Sequence, residues 1–265
     1  MHSLARPFVT TCLALAVGLL LALPPLQARA EDGPAVAAAA SLRPALDAIA
    51  AQYEKKTGVK PRITYGATGN LVQQIEKGAP FQILFAADEE SVKKLAKEGL
   101  TEGEPKVFAR GQIALVAPNG SPVIVEPSLA GLEQAVNTGK LAHFAIANPD
   151  VAPYGRAARE VLQKLKLWDG LAGKIVMGEN VGQAAQFTTT GAAEAGIIAL
   201  SLALSPEMAP KIKFAVLPES WHAPIDHGMA LIKGAGEPSR AFAAYVTGPE
   251  GDALLGRNGF AVPGP

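Results

Sequence analysis

From residue 35 to about residue 100, short apolar runs alternate with segments whose apolar residues recur every three or four positions. Ala35 to Ala40 reads as a buried strand stopped by Ser41, although alanine alone has little strand propensity. The run that follows places Leu42, Leu46, Ile49, Ala50 and Tyr53 on one helical face, and Gly58 supplies a C-terminal stop. The pattern then predicts a strand over 62–65, a helix over 69–77, a strand over 82–86 and a helix over 89–98. Such alternation argues for a parallel sheet flanked by helices.

The stretch 107–118, VFARGQIALVAP, is a longer β-rich run with a glycine inside it, and it reads as a crossover into a second lobe. There the alternation resumes: helix 128–137, strand 143–146, helix 155–166, strand 174–176, helix 181–190 and strand 195–199. A return near Lys213 to Leu217, a strand from Ile225 to Ile232 and two helices, Ser239 to Val246 and Glu250 to Leu255, complete the first lobe. The expectation is an α/β protein of two lobes, each a mainly parallel sheet flanked by helices, joined by two crossing strands. Its first lobe takes residues 31–111 plus 218–265 and its second residues 112–217.

The first thirty residues stand apart. Arg6 precedes an uncharged apolar run from Phe8 to Leu23, Pro24 and Pro25 break it, and Ala28, Arg29 and Ala30 form a small-x-small cleavage site. Residues 1–30 are therefore expected to be a cleaved secretory signal, which would place the mature protein in the periplasm. The chain's one cysteine, Cys12, lies in that segment, so the remainder offers no disulfide, thiolate ligand or cysteine nucleophile. Without Arg6 and Arg29 the formal charge is near −2, which makes nucleic acid an improbable partner. No second apolar run is long enough to cross a bilayer.

Candidate chemistry collects where strands give way to helices. In Ile63 to Pro80, ITYGATGNLVQQIEKGAP, a β-like run breaks at Gly66 and restarts as a helix with Thr68 near its N-cap. Ser41 occupies the corresponding position after the first strand. In the second lobe, NPDVAPYGRAA (148–158) enters a helix at about Tyr154 or Gly155, and Asn180 caps a helix whose first turn holds Val181. A helix start exposes unsatisfied N–H donors and the positive end of the peptide dipoles, so it suits an anion. Four such starts, two per lobe, face one cleft in this reading. Ligands of open parallel sheets sit beyond the strands' carboxyl ends.

Rival chemistry has less support. His222, Asp226 and His227 share a segment, but His-x4-His is not a standard ligand spacing, and the segment reads as a surface loop or strand end. There is no G-x-S-x-G elbow, Walker loop or HExxH, so an enzyme is not expected. Asp88, Glu89 and Glu90 read as a solvated helix start, and Trp168 and Trp221 as packing or rim residues.

Taken together, these residues resemble the periplasmic molybdate-binding proteins of bacterial molybdate ABC transporters, a family of type II solute-binding proteins. The likeness rests on AAASL at 38–42, QI-x-x-GAP at 74–80, Phe85 to Asp88, APYG at 152–155, Glu179 to Val181, and the terminal NGF. It implies the two-lobed type II periplasmic-binding-protein fold and an oxyanion held by neutral donors. Ser41 and Thr68 would give hydroxyl and backbone N–H bonds, and Tyr154 and Val181 backbone N–H bonds. The metal would be held only inside the oxyanion, with no direct protein ligands and no further cofactor. The implied partners of this monomeric carrier are molybdate or tungstate and an inner-membrane ABC permease with its ATPase. Sulfate or a metal chelate on the same fold is the alternative ligand. At about 1.5–3 kcal/mol each, roughly five to seven charge-assisted hydrogen bonds would bind such a dianion tightly. The chain departs from the family pattern at Thr68, where serine is usual, at Gln82 and Ala86, where aspartate and serine are common, and at Ala199. At the last, some members carry a tyrosine whose hydroxyl reaches the anion.

Overall fold

The computed structural model describes residues 33–262 together with His2, so the expected secretory segment 1–30, Cys12 included, lies otherwise outside the described residues. Strands β1 (Ala35–Ala39), β2 (Arg62–Gly66) and β3 (Ile83–Phe85) alternate with helices α1 (Arg43–Thr57), α2 (Thr68–Glu76) and α3 (Glu89–Lys97). β4 (Thr101–Gly111) is followed at once by β5 (Ile113–Pro118). Then come α4 (Ala130–Asn137), β6 (Phe144–Ala147), α5 (Pro153–Lys164), β7 (Ile175–Gly178), α6 (Val181–Thr189) and β8 (Ala195–Ala199). A single-turn α7 (Leu200–Ala203), β9 (Ile212–Val216), β10 (Ile225–Ile232), α8 (Glu237–Val246) and α9 (Pro249–Arg257) complete the order.

The strands form two five-stranded sheets, ordered β2-β1-β3-β10-β4 and β7-β6-β8-β5-β9. In the first, β1 runs parallel to β2 and β3, whereas β10 is antiparallel to both β3 and β4. In the second, β6 runs parallel to β7 and β8, whereas β5 is antiparallel to both β8 and β9. The sheets are thus mixed, because the strands that return the chain from one lobe to the other enter each sheet against the local direction. The run read as one crossing strand, 107–118, is two strands parted by Gln112, each half pairing in a different sheet. The chain comes back between Val216 and Ile225.

β1 shows why an alanine-rich segment makes a central strand. It is covered on both edges by parallel neighbours and on both faces by helices, so Val36, Ala37 and Ala38 are wholly buried. Its alternate side chains serve two separate apolar clusters, Val36 and Ala38 one, Ala37 the other. The polar start of β4, Thr101–Lys106, shows no such alternation and was not legible as strand; it lies at the sheet edge, where β10 supplies its partner.

The first lobe's core centres on aromatic edges. Phe242 of α8 packs edge-on to Tyr53 of α1 at 5.1 Å and to Phe85 of β3 at 6.4 Å, and Phe85 meets Phe108 of β4 at 5.4 Å. Phe242 therefore ties the C-terminal helices to the sheet. Phe242→Ala should cost about 3–5 kcal/mol, because a wholly buried ring leaves a cavity its rigid neighbours cannot fill. Urea unfolding should show this as a lower midpoint at an unchanged slope.

Candidate functional site

Parallel pairing aligns the strand ends that carry the candidate residues. In the first sheet Ala39 of β1 is in register with Gly66 of β2, and Ala38 with Phe85 of β3. The segments that follow, Ala40–Leu42 as a 3-10 turn and the start of α2 at Thr68, therefore emerge side by side. In the second sheet Ala147 of β6 is in register with Gly178 of β7, which sets the starts of α5 and α6 next to each other. Asn180 caps α6, its side-chain oxygen accepting from Gln183 N–H at 3.1 Å, which fixes Val181 at the first helical position.

These four starts enclose one small cavity of about 10 Å³, with Ser41, Thr68, Tyr154 and Val181 all on its wall. None of its lining residues is charged. The cavity is shut: Ser41 is 0% exposed, Thr68 1%, Tyr154 2% and Val181 4%. Thr68 lies one residue past the N-cap, which is Ala67. Its Oγ1 accepts from Ala87 N–H at 3.0 Å, leaving its own proton free. Thr68, Tyr154 and Val181, at the first or second position of α2, α5 and α6, have N–H groups with no intrahelical acceptor, and the three helices bring positive dipole ends to the same place.

Contacts across the cleft hold it shut. Gly69 N–H of α2 donates to the Val151 carbonyl at 2.9 Å, an approach so close that a Cβ on Gly69 would sit 3.0 Å from that oxygen. Asn70 Nδ2 donates to Glu179 Oε1 at 3.1 Å, and Ser201 Oγ of α7 donates to the Ser41 carbonyl at 2.7 Å. Arg156 of α5 pairs with Asp88 Oδ2 at 2.5 Å, while Asp88 Oδ1 caps α3 through Ser91 N–H at 2.8 Å. Asp88, read from sequence as a solvated helix start, thus caps its helix and also clasps the facing lobe. Ala199, at the end of β8, is fully buried and does not line the cavity.

One site residue escaped the sequence reading. His227, expected in a surface loop or strand end, is the third residue of β10 and is 0% exposed. At His227 strand β10 pairs with Ala109 of β4, while β3 joins it only from Met229 to Leu231, so it is the aromatic rings packed around the imidazole that make the position interior. The ring lies edge-on to Phe260 at 5.2 Å, Tyr154 at 5.9 Å and Phe108 at 6.3 Å. Its Nε2 is 3.2 Å from Ser41 Oγ and its Nδ1 3.1 Å from the Ile225 carbonyl. Asp226 points the other way and pairs with Arg110 at 2.6 Å. Among the described residues no three His, Cys, Asp or Glu side chains group as metal ligands. The signal available in sequence was the polar histidine inside an otherwise strand-like run. Gly111 makes room for this packing, since a Cβ there would lie 2.0 Å from the Tyr154 hydroxyl and 2.8 Å from the imidazole. Burial pushes the Tyr154 phenol up, only partly countered by nearby Ser41, and the hydroxyl has no hydrogen-bond partner.

Two α/β lobes, crossed twice by the chain and shut over an uncharged cavity lined by helix starts, define a two-lobed solute-binding protein. The chain belongs to the bacterial extracellular solute-binding protein family, whose model matches residues 34–261. It is 36% identical to the molybdate-binding protein ModA of Azotobacter vinelandii over 230 residues, covering 86% of this chain and 89% of that one. It is 33% identical to ModA of Rhodobacter capsulatus over 255 residues, covering 95% of each. Among solved structures, the periplasmic molybdate-binding protein of Azotobacter vinelandii superposes with a TM-score of 0.78 at 30% identity, covering 87% of this chain and 100% of that one.

Burial lowers the His227 pKa to about 4, with its bond to the Ile225 carbonyl acting weakly the other way. The unfolded chain takes up that proton near pH 6.5, before the native state does. The stabilisation is therefore complete above pH 6.5 and is lost as pH falls toward 4, amounting to about 3 kcal/mol. Unfolding free energies across this range should decline less steeply for His227→Gln than for the wild type.

Proposed function

We propose that the protein is a periplasmic carrier that captures molybdate, and tungstate with it, and delivers the ion to an inner-membrane ABC permease and its ATPase. The observation that carries this reading is the cavity itself: helix starts and hydroxyls from both lobes, with no charged side chain on the wall. Molybdate is fully ionised near neutral pH, so it accepts hydrogen bonds and offers none; a wall of donors matches it and disfavours protonated phosphate, whose O–H needs an acceptor. In this reading Ser41 and Thr68 contribute hydroxyl and backbone N–H, and Tyr154 and Val181 backbone N–H. The metal centre is met only through its oxygens, and the protein needs no other cofactor.

The family and the relatives named above support this reading, as does the wide coverage of the match. Binding is expected to begin on Ser41 and Thr68 with the lobes apart and to finish when closure brings up Tyr154 and Val181, which shifts the open–closed balance by the difference in affinity between the two states. A carrier of this kind acts as a monomer and performs no catalysis.

Calorimetric titration of the ligand-stripped protein with molybdate, tungstate, sulfate and phosphate tests the reading. Tight saturable heat with the first two alone is expected; silence with all four, or a preference for sulfate or phosphate, would overturn it. Thr68→Ala should weaken molybdate binding by about one to two decades while Thr68→Ser retains it, since only the alanine removes a donor to a charged oxygen.

A further inference from the structure

The pair formed by Ser41 and His227 has a hydrogen-bond direction that follows from the groups around it. His227 is held on two sides. One ring nitrogen, Nδ1, faces the Ile225 carbonyl at 3.1 Å, an oxygen that only accepts, so Nδ1 carries the ring proton. The other, Nε2, is 3.2 Å from Ser41 Oγ. With the ring buried and neutral, Nε2 is a bare acceptor. The proton between them therefore belongs to serine, and Ser41 O–H donates away from the cavity. Thr68 is arranged the opposite way, its oxygen occupied by Ala87 N–H and its proton free.

We propose that His227 is a positioning residue: as an acceptor behind Ser41 it competes with the bound anion for the serine proton. The inference rests on the oxyanion reading of the cavity. A fully ionised anion takes from Ser41 either the backbone N–H alone or the hydroxyl as well, and the second requires Ser41 Oγ–H to rotate off the imidazole. Rotation leaves Nε2 without the serine proton in a buried place, and that loss opposes the gain at the anion. The Tyr154 hydroxyl, buried beside the pair without a partner, is a further donor in the cluster.

Two measurements decide this. In the intact, ligand-free wild-type protein, ¹⁵N NMR of the His227 imidazole should show Nδ1 protonated and Nε2 bare; a proton on Nε2 would overturn the assignment. On saturation with molybdate the Nε2 resonance should move as the serine proton leaves, and an unmoved resonance would mean there is no competition. A double-mutant cycle with Ser41→Ala and His227→Phe gives the energetic counterpart. The loss of molybdate affinity from Ser41→Ala should be at least about threefold larger in the His227→Phe background, where the hydroxyl is free to serve the anion. An equal or smaller loss would overturn the proposal. His227→Gln, which keeps an acceptor near the Nε2 position, should restore the smaller wild-type loss. Should the Phe variant fail to fold, the two wild-type NMR arms still decide. Should the wild type give no heat with molybdate, the carrier reading falls, while the ligand-free spectrum still settles the direction of the Ser41–His227 bond.

Discussion

The structure depends on one constraint: backbone N–H groups at the starts of helices have no partner inside their own helix, and here several of them are buried together. Elsewhere such groups turn to water or to a capping side chain. At the cavity wall the capping position of α2 is Ala67, whose side chain accepts nothing, and α5 likewise begins after Ala152 without a side-chain cap. Asn180 caps α6 but satisfies Gln183, two residues beyond Val181. Donors are thus left facing an enclosed space from both sheets. An oxygen-rich anion is the natural complement to that arrangement, and the uncharged wall sets its geometry through hydrogen bonds.

The fold makes this convergence possible because each sheet contributes a parallel set of three strands. Parallel strands end on the same side, so the residues that follow them are brought together however far apart they are in sequence. Two such sets, linked by strands that run against them, can then face each other across one cleft. The links are short, a single Gln112 in one direction and the segment from Leu217 to Pro224 in the other. Across the cleft the lobes meet through a backbone bond from Gly69, side-chain bonds at Asn70 and Ser201, and the ion pair of Asp88 with Arg156, and one apolar cluster of buried residues runs through both.

Behind the cavity the cluster of Tyr154, Ser41 and His227 gives the site an internal polarity that its lining alone does not show. Thr68 and Ser41 look equivalent as hydroxyls, yet one has its oxygen engaged and the other its proton. Gly111 belongs to the same arrangement, since only a residue without a side chain leaves room for the Tyr154 hydroxyl and the imidazole together.

Much of this was legible in the chain itself. The alternation of strand and helix, the stop at Gly58, the cap at Asn180, and the positions of Ser41, Thr68, Tyr154 and Val181 at helix starts follow from local rules of propensity and capping, which act over a few residues. The parallel sets of three followed from that alternation, but the one strand in each sheet that runs against the rest, β10 or β5, did not, because its pairing is decided between segments far apart in sequence. The edge segment Thr101–Lys106 and the four-residue α7 were missed for the same reason: β10 makes the first a strand, and α7 is too short to carry a periodic signal. Asp88 looked like a solvated cap until Arg156 was brought to it from the other lobe. His227 looked peripheral until Phe108, Tyr154 and Phe260, from three other parts of the chain, packed around its ring. Sequence determined which residues begin and end each element, because those choices are local. Only the tertiary structure decided which buried polar groups meet, because burial and hydrogen-bond direction depend on neighbours that the chain supplies from nearly two hundred residues away, as with Ser41 and His227.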